Sequence, residues 1–357
     1  MCYNMPKNKS KQLIEKNSGS KKGSSYQGWQ EKWIPKEYTE EDLVQITANF
    51  TTSIGNGKFA EVFKGEIDEQ AVAVKKCHAN KKGFWENEKE ALAELAGHQH
   101  IIQLLGVQAE VKDMDEYCLV LDYMPYTLHK ALERGGLPSK APEGGSLPGK
   151  APEANEVNIL DWNNTLKVLR QMASALVEVS KKNFVIGDLK PDNVLLDEEY
   201  NVKICDFGSA KRVGQEIPST NKAYAASEIL FKASQVTQAA DVYSFGVILL
   251  QMIMKQQMIH QKPRKMDVPR LMMSCYKEMK DKGKKNTTAH IAIIARCELK
   301  SRGHGSILDN TLKWKGCKES TMETIERLGI QCTEEDPSKR PKIDAVLDTL
   351  DALEVEP

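Results

Sequence analysis

Residues 183–208 read NFVIGDLKPDNVLLDEEYNVKICDFG and carry four polar side chains at telling intervals. Lys190 stands two positions after Asp188, Asn193 three further on, and Asp206 opens the tripeptide D-F-G. A carboxylate at 188 can accept a proton from a hydroxyl, and an ammonium at 190 can neutralise phosphate. An amide oxygen at 193 and a second carboxylate at 206 suit a hard cation such as magnesium. D-F-G alone occurs by chance in many chains. D-x-K-P-x-N succeeded by D-F-G at this separation is far more specific.

Upstream, IGNGKFAEVFKG (residues 54–65) places Gly55 and Gly57 where backbone amides can approach phosphate oxygens without a Cβ in the way. The third position of the glycine pattern is Ala60. Two glycines two apart often mark an ordinary hairpin, so this motif gains weight only from the residues after it. VAVKK comes next, an alternating strand with Ala73 and Lys75 on one side. In WENEKEALAEL, Glu88 is the expected partner of Lys75, chosen over the neighbouring Glu86 and Glu90.

The remaining chain frames these motifs. Thr39 with Asp42 has capping-box spacing ahead of Leu43, Val44 and Ile46. Strand patterns are expected near Ile54, Val62–Phe63 and Val72–Val74, then a helix near residues 82–97 and strands in IIQLLGV and YCLVLDYM. The second half reads helical, with Leu166, Leu169, Ala173 and Leu176 in register and a long apolar run in DVYSFGVILLQMIM. LPSKAPE at 137–143 and LPGKAPE at 147–153 form a near-duplicate, expected to be a flexible surface insertion over about 135–158. Residues 255–289 are loosely patterned and lysine-rich.

The 357 residues suffice for two core-forming lobes. Charged residues make up 28% and sum to zero, which argues against a molecule built around nucleic acid. No apolar run approaches the ~20 residues of a bilayer crossing, and MCYNMPKNKSK has no secretory apolar core. The eight cysteines show neither C-x-x-C pairs nor zinc-type spacing, so reduced thiols of the cytosol or nucleus are expected, and the location expected for the chain is cytoplasmic. Residues 1–36 hold eight lysines against Glu15 and Glu31. That composition suits a solvated tail, with weak attraction to an anionic membrane surface as the sharper alternative. His98, His100 and Ser209 are expected to be structural, and Cys205 a small core residue.

Taken in order, the glycine loop, VAVK, DLKPDN, DFG, ASE, DVYSFG and KRP resemble the motifs of eukaryotic protein kinases over residues 38–354. YTEEDLVQITANFTTSIGNGKFAEVFKG, LDWNNTLKVLRQMASAL and ERLGIQCTEEDPSKRP are similar to the plant receptor-like and receptor-like cytoplasmic kinases, of serine/threonine type. The resemblance implies an α+β, two-lobed fold. A basic tail (1–37) precedes a mainly β lobe (38–124) and a helical lobe (125–354), with a short tail at 355–357. ATP and Mg are the implied cofactors. The implied partners are proteins with Ser/Thr hydroxyls, a receptor or membrane surface, and no nucleic acid, for a monomer.

By position, the resemblance makes Lys75, held by Glu88, the ligand of the α- and β-phosphates. Ile54, Gly55, Gly57, Ala60, Val62, Ala73 and Leu195 would surround the nucleotide, with Leu121 as gatekeeper and Asp122 to Met124 as the adenine-binding hinge. Asp188 would be the catalytic base beside Lys190, with Asn193 and Asp206 holding magnesium. Glu228 and Arg340 are expected to form a buried ion pair.

Four positions depart from the family pattern. Ala60 replaces a glycine and Ser227 the proline of A-P-E. Ile186 and Gly187 replace the histidine and arginine before the catalytic aspartate. Ile186 can keep the apolar packing against Phe207. The arginine normally attracts a phosphate on the activation segment, so activity is expected to depend little on phosphorylation at Ser219 or Thr220. A nucleotide-binding pseudokinase that acts as a scaffold is the alternative left open.

Overall fold

The computed structural model describes residues 35–78, 80–109, 117–138, 157–215, 224–226, 228–229, 236–260 and 317–354. The chain divides into two compact units, each described by itself.

The first unit comprises the chain through Trp85, Leu92–Ala96 and Gln103–Tyr123. Its sheet is built from β1 (Lys36–Tyr38), β2 (Ser53–Asn56), β3 (Ala60–Ile67), β4 (Gln70–Cys77), β5 (Leu104–Gln108) and β6 (Tyr117–Asp122), in spatial order β1-β5-β6-β4-β3-β2. All pairings are antiparallel except β1 with β5. Alternation along β4 and β6 buries Val72, Val74, Cys118 and Val120 on one face, against Tyr38 and Leu43. Leu43 belongs to α1 (Glu40–Ile46), whose first turn carries the expected capping box. Thr39 Oγ1 accepts from the Asp42 amide at 3.1 Å, and Asp42 Oδ2 accepts from the Thr39 amide at 2.8 Å.

One boundary moves. Lys36 and Glu37 are expected in the basic tail, yet they pair with Gly106 and Val107 in β1. Pairing at a sheet edge uses main-chain groups and leaves no periodicity in three residues. Gly106 permits it: a Cβ there would stand 2.6 Å from the Lys36 carbonyl oxygen and closer still to the Tyr38 ring.

The second unit comprises Glu86–Ala91, Gly97–Ile102 and the chain from Met124 onward. Its helices are α3 (Leu128–Arg134), α4 (Trp162–Lys181), α5 (Ala239–His260), α6 (Glu319–Cys332) and α7 (Ile343–Asp351); α2 (Lys82–Glu94) contributes Glu86–Ala91. Asp161 caps α4 by accepting from the Asn164 amide at 2.8 Å, and eleven of its residues are buried. The apolar residues of α5 from Phe245 to Ile253 are buried, so the longest apolar run of the sequence is core. Among the described residues no helix is long and apolar enough to cross a membrane.

Short strands complete this unit: β7 (Tyr126–Thr127), β8 (Gly136–Pro138), β9 (Val157–Ile159), β10 (Phe184–Val185), β11 (Val194–Leu196), β12 (Val202–Ile204) and β13 (Lys211–Arg212). The expected insertion therefore needs correction at its ends. Gly136, Leu137 and Pro138 pair with Ile159, Asn158 and Val157, so the first residues of LPSKAPE belong to a ribbon. Leu137 is 1% exposed, and its amide donates to the Tyr200 hydroxyl at 3.1 Å. Residues 139–156, with the rest of the near-duplicate, lie outside the described residues, as does 261–316 with most of the lysine-rich stretch.

Candidate active site

The polar residues of the opening stretch meet because of a hairpin. β11 and β12 pair with Val194 opposite Ile204, and the Cys205 amide donates to the Asn193 carbonyl at 3.0 Å. Residues just outside the pairing therefore face one another, and Asn193 Nδ2 lies 3.5 Å from Asp206 Oδ2. The same Nδ2 donates to the Asp188 carbonyl at 2.9 Å, which draws Asp188 to the pair and leaves the amide oxygen as acceptor. Lys190 Nζ stands 2.5 Å from Asp188 Oδ2, a charge-assisted contact with both side chains largely sheltered. Asp206 adopts φ 63° and ψ 66°, a left-handed conformation that a non-glycine residue holds at a cost of about 1–3 kcal/mol. Such strain persists only where the surroundings over-determine it, and here the flanking groups do. The Phe207 amide donates to Glu88 Oε1 at 3.3 Å, and Asn87 Nδ2 to the Gly208 carbonyl at 3.0 Å.

The loop itself hangs from a buried carboxylate. Asp241, in the first turn of α5, accepts from the amides of Ile186 at 2.7 Å and Gly187 at 3.0 Å. Burial raises its pKa to about 6, against the lowering effect of the two amides. Gly187 has φ 75°, a conformation open to glycine without strain. Ile186 and Phe207 are both completely buried, as the apolar replacement of histidine requires. The motif DVYSFG marks a helix opening with Asp241, but it does not disclose the bonds to the loop. An acidic residue heading a buried apolar helix is the available signal.

In the first unit, the strand registers assemble a second group. Gly55 pairs with Val62, Val62 with Lys75, Lys75 with Leu119, and Ala73 with Leu121. Directly paired residues point to the same face, so Val62, Ala73, Lys75 and Leu121 share the face opposite the Val72/Val74 core. Lys75 is 9% exposed. Gly57 donates its amide to the Ala60 carbonyl at 3.0 Å, and His78 Nε2 lies 3.0 Å from the Gly57 carbonyl. Phe59, at the loop tip, stacks on Phe84 with ring centroids 4.0 Å apart. A Cβ at Gly55 or Gly57 would meet its nearest neighbours only at 3.9 and 3.5 Å. Internal packing thus does not demand glycine at either position. Asp122 Oδ1 is occupied by the Gln103 amide at 2.5 Å.

Other expected residues divide between the units. Ile54 is exposed in β2, and Ala60 is buried at the start of β3. Met124, expected with the β lobe, falls in the second unit, as does Glu88. Leu195 is half-buried in β11, paired with Thr127 and Lys203. Cys205 is half-buried where a core residue is expected. His98 and His100 have structural partners. The His100 amide donates to His98 Nδ1 at 3.3 Å, His100 Nδ1 lies 3.2 Å from the Val202 carbonyl, and burial lowers both imidazoles. Ser209 is buried in a short turn of 3-10 helix. Glu228 and Arg340 form the expected ion pair. Ser219, Thr220 and Ser227 lie outside the described residues.

A sheet-bearing amino-terminal unit, a helical carboxyl-terminal one and a loop–hairpin that gathers Asp188, Lys190, Asn193 and Asp206 define the protein kinase class. The chain belongs to that family, whose protein kinase domain model matches residues 48–350. Among curated proteins it is 26% identical over 348 residues to L-type lectin-domain containing receptor kinase V.4 of Arabidopsis thaliana, covering 90% of this chain and 44% of that one. It is 33% identical over 241 residues to probable serine/threonine-protein kinase PBL23 of the same plant, covering 62% and 56%. A similar match is probable serine/threonine-protein kinase PBL9, at 33% over 248 residues, 61% and 54%. The chain spans about half the length of the curated relatives it matches.

Proposed function

We propose that the chain transfers the γ-phosphoryl group of ATP to serine or threonine hydroxyls of proteins. The observation that carries this reading is the set Asp188, Lys190, Asn193 and Asp206, tied together by the Asn193 amide and suspended from Asp241. Hard oxygen donors at Asn193 and Asp206 fit magnesium, which keeps waters and substrate phosphates among its ligands; when bound it would neutralise charge on the β- and γ-phosphates. The side chain-free Gly55 and Gly57, with no packing reason to be glycine, fit a loop that a phosphate approaches.

In the proposed reaction the substrate hydroxyl oxygen bonds to the γ-phosphorus as the bond to the β–γ bridging oxygen breaks. Asp188 takes the hydroxyl proton, and Lys190 balances charge on the transferring group. Lys75 holds the α- and β-phosphates, and ADP leaves with the bridging oxygen. Glu88 is assigned to orient Lys75, and its bond to the Phe207 amide fixes its carboxylate. Ile54, Ala60, Val62, Ala73, Leu121, Leu195 and the Asp122–Met124 backbone are assigned to the nucleotide. The names of the serine/threonine relatives support the choice of acceptor.

The test uses radiolabelled ATP, magnesium and a generic basic protein, with acid hydrolysis of the product. Label on phosphoserine or phosphothreonine, lost in Asp206→Asn, is expected. ATP-dependent thermal stabilisation without transfer would replace this reading by a binding-only role.

A further inference from the structure

Gly187 presents no side chain to the segment after Asp206, yet that segment is fastened at successive residues. Lys211 Nζ donates to Asn87 Oδ1 at 3.1 Å. Arg212 then reaches three separate elements. Its guanidinium lies 4.1 Å from the centre of the Phe184 ring in β10, Nη1 donates to the Lys182 carbonyl at the end of α4 at 3.2 Å, and Nη2 donates to Glu90 Oε1 of α2 at 3.0 Å. Phe184 and Val185 pair with Arg212 and Lys211, so the stack is laid on the strand that runs directly into Ile186 and Gly187. A planar guanidinium can stack on a ring and donate in its own plane at once, which an ammonium cannot.

We propose that Arg212 is a positioning residue for phosphoryl transfer. It locks the segment after Phe207–Gly208 to the strand entering the catalytic loop and to α2, without any phosphate group. This rests on the kinase reading above. The pair with Glu90 is partly exposed, so salt screens it while the stack on Phe184 persists.

The experiment compares the phosphatase-treated full chain with Arg212→Ala, Arg212→Lys and Glu90→Gln, measuring kcat, KM for ATP and their salt dependence. Wild type is expected to keep its activity after phosphatase, with kcat declining as salt rises. Arg212→Ala should lower kcat about tenfold, the scale of one exposed ion pair plus one cation–π contact, with KM for ATP changed by less than about twofold. Its salt dependence should vanish, as should that of Glu90→Gln. Arg212→Lys keeps the charge and loses the stack, so kcat should fall about threefold. It carries the test if the alanine variant does not fold. Wild-type kcat in Arg212→Lys and Arg212→Ala, or loss of wild-type activity on phosphatase treatment, would overturn the role of Arg212 and leave the kinase reading standing. A wild type that transfers nothing under any condition would instead overturn the kinase reading, and this role with it.

Discussion

Removing the negative partner of Arg340 should destabilise the helical unit more than any other single charge change. The Arg340 side chain is fully buried, and all five of its N–H groups have acceptors. Nη1 and Nη2 fork onto Glu228 Oε1 and Oε2 at 2.5 and 2.9 Å. The Glu334, Ala239 and Glu335 carbonyls take the rest at 2.7, 2.9 and 3.3 Å. Glu228→Gln keeps one acceptor but turns an amide N–H towards a guanidinium N–H, and it leaves a buried cation without a counter-charge. Breaking such a pair costs about 3–5 kcal/mol. For a domain of this size that corresponds to a fall in Tm of about 6–20 °C. Scanning calorimetry at fixed salt and protein concentration measures it. Glu228→Leu with Arg340→Met removes both charges together, and because apolar replacement of a whole buried pair is often near neutral, the double variant should recover much of the loss. A Glu228→Gln protein melting within about 2 °C of wild type would refute this account of the pair.

Two further perturbations act on the loop around Asp188 and on the β8–β9 ribbon. The Asp241 carboxyl, raised by burial to about 6, gives the folded state an extra proton between the unfolded carboxylate range and pH 6, so this group's contribution to stability falls as pH rises through that window and is constant above it. Catalysis should run the other way, because the ionised form accepts both loop amides: kcat should drop as pH falls through about 6, and Asp241→Asn should be weak at all pH values without that step. A wild-type rate flat from pH 5 to 7 would contradict it. Deleting residues 139–156 and bridging Pro138 to Val157, which are paired, should leave phosphoryl transfer within about twofold, whereas a deletion that also removes buried Leu137 should cost about 2–5 kcal/mol in denaturant unfolding. Equal stability of the two deletions would show that the ribbon contributes nothing.

A physical line separates the features that the sequence discloses from those it conceals. Asp188, Lys190, Asn193 and Asp206 are legible because local spacing along one loop and one hairpin brings them together, and the capping box of α1 is legible because it spans four residues. Lys75 and Ala73 are legible because a strand alternates. β1 is not, since three residues paired at an edge carry no period, and Leu137 is masked by the proline- and lysine-rich composition downstream of it. Arg212 is invisible for another reason. Its partners Phe184, Lys182 and Glu90 lie 28, 30 and 122 residues away, and nothing in KRV distinguishes a stacked guanidinium from a solvated one. Asp241 stands in a recognisable motif, yet a bond between its side chain and backbone amides of residues 186 and 187 leaves no mark on the types of those residues.

The most direct measurement is the rate of phosphate transfer from ATP to a protein hydroxyl by wild type and by Asp188→Asn, purified side by side and shown to bind nucleotide equally. If Asp188 is the proton acceptor proposed, loss of this carboxylate beside Lys190, with binding retained, should lower the rate by at least about a hundredfold. Equal rates, or no transfer from wild type, would contradict the assignment of this loop to catalysis.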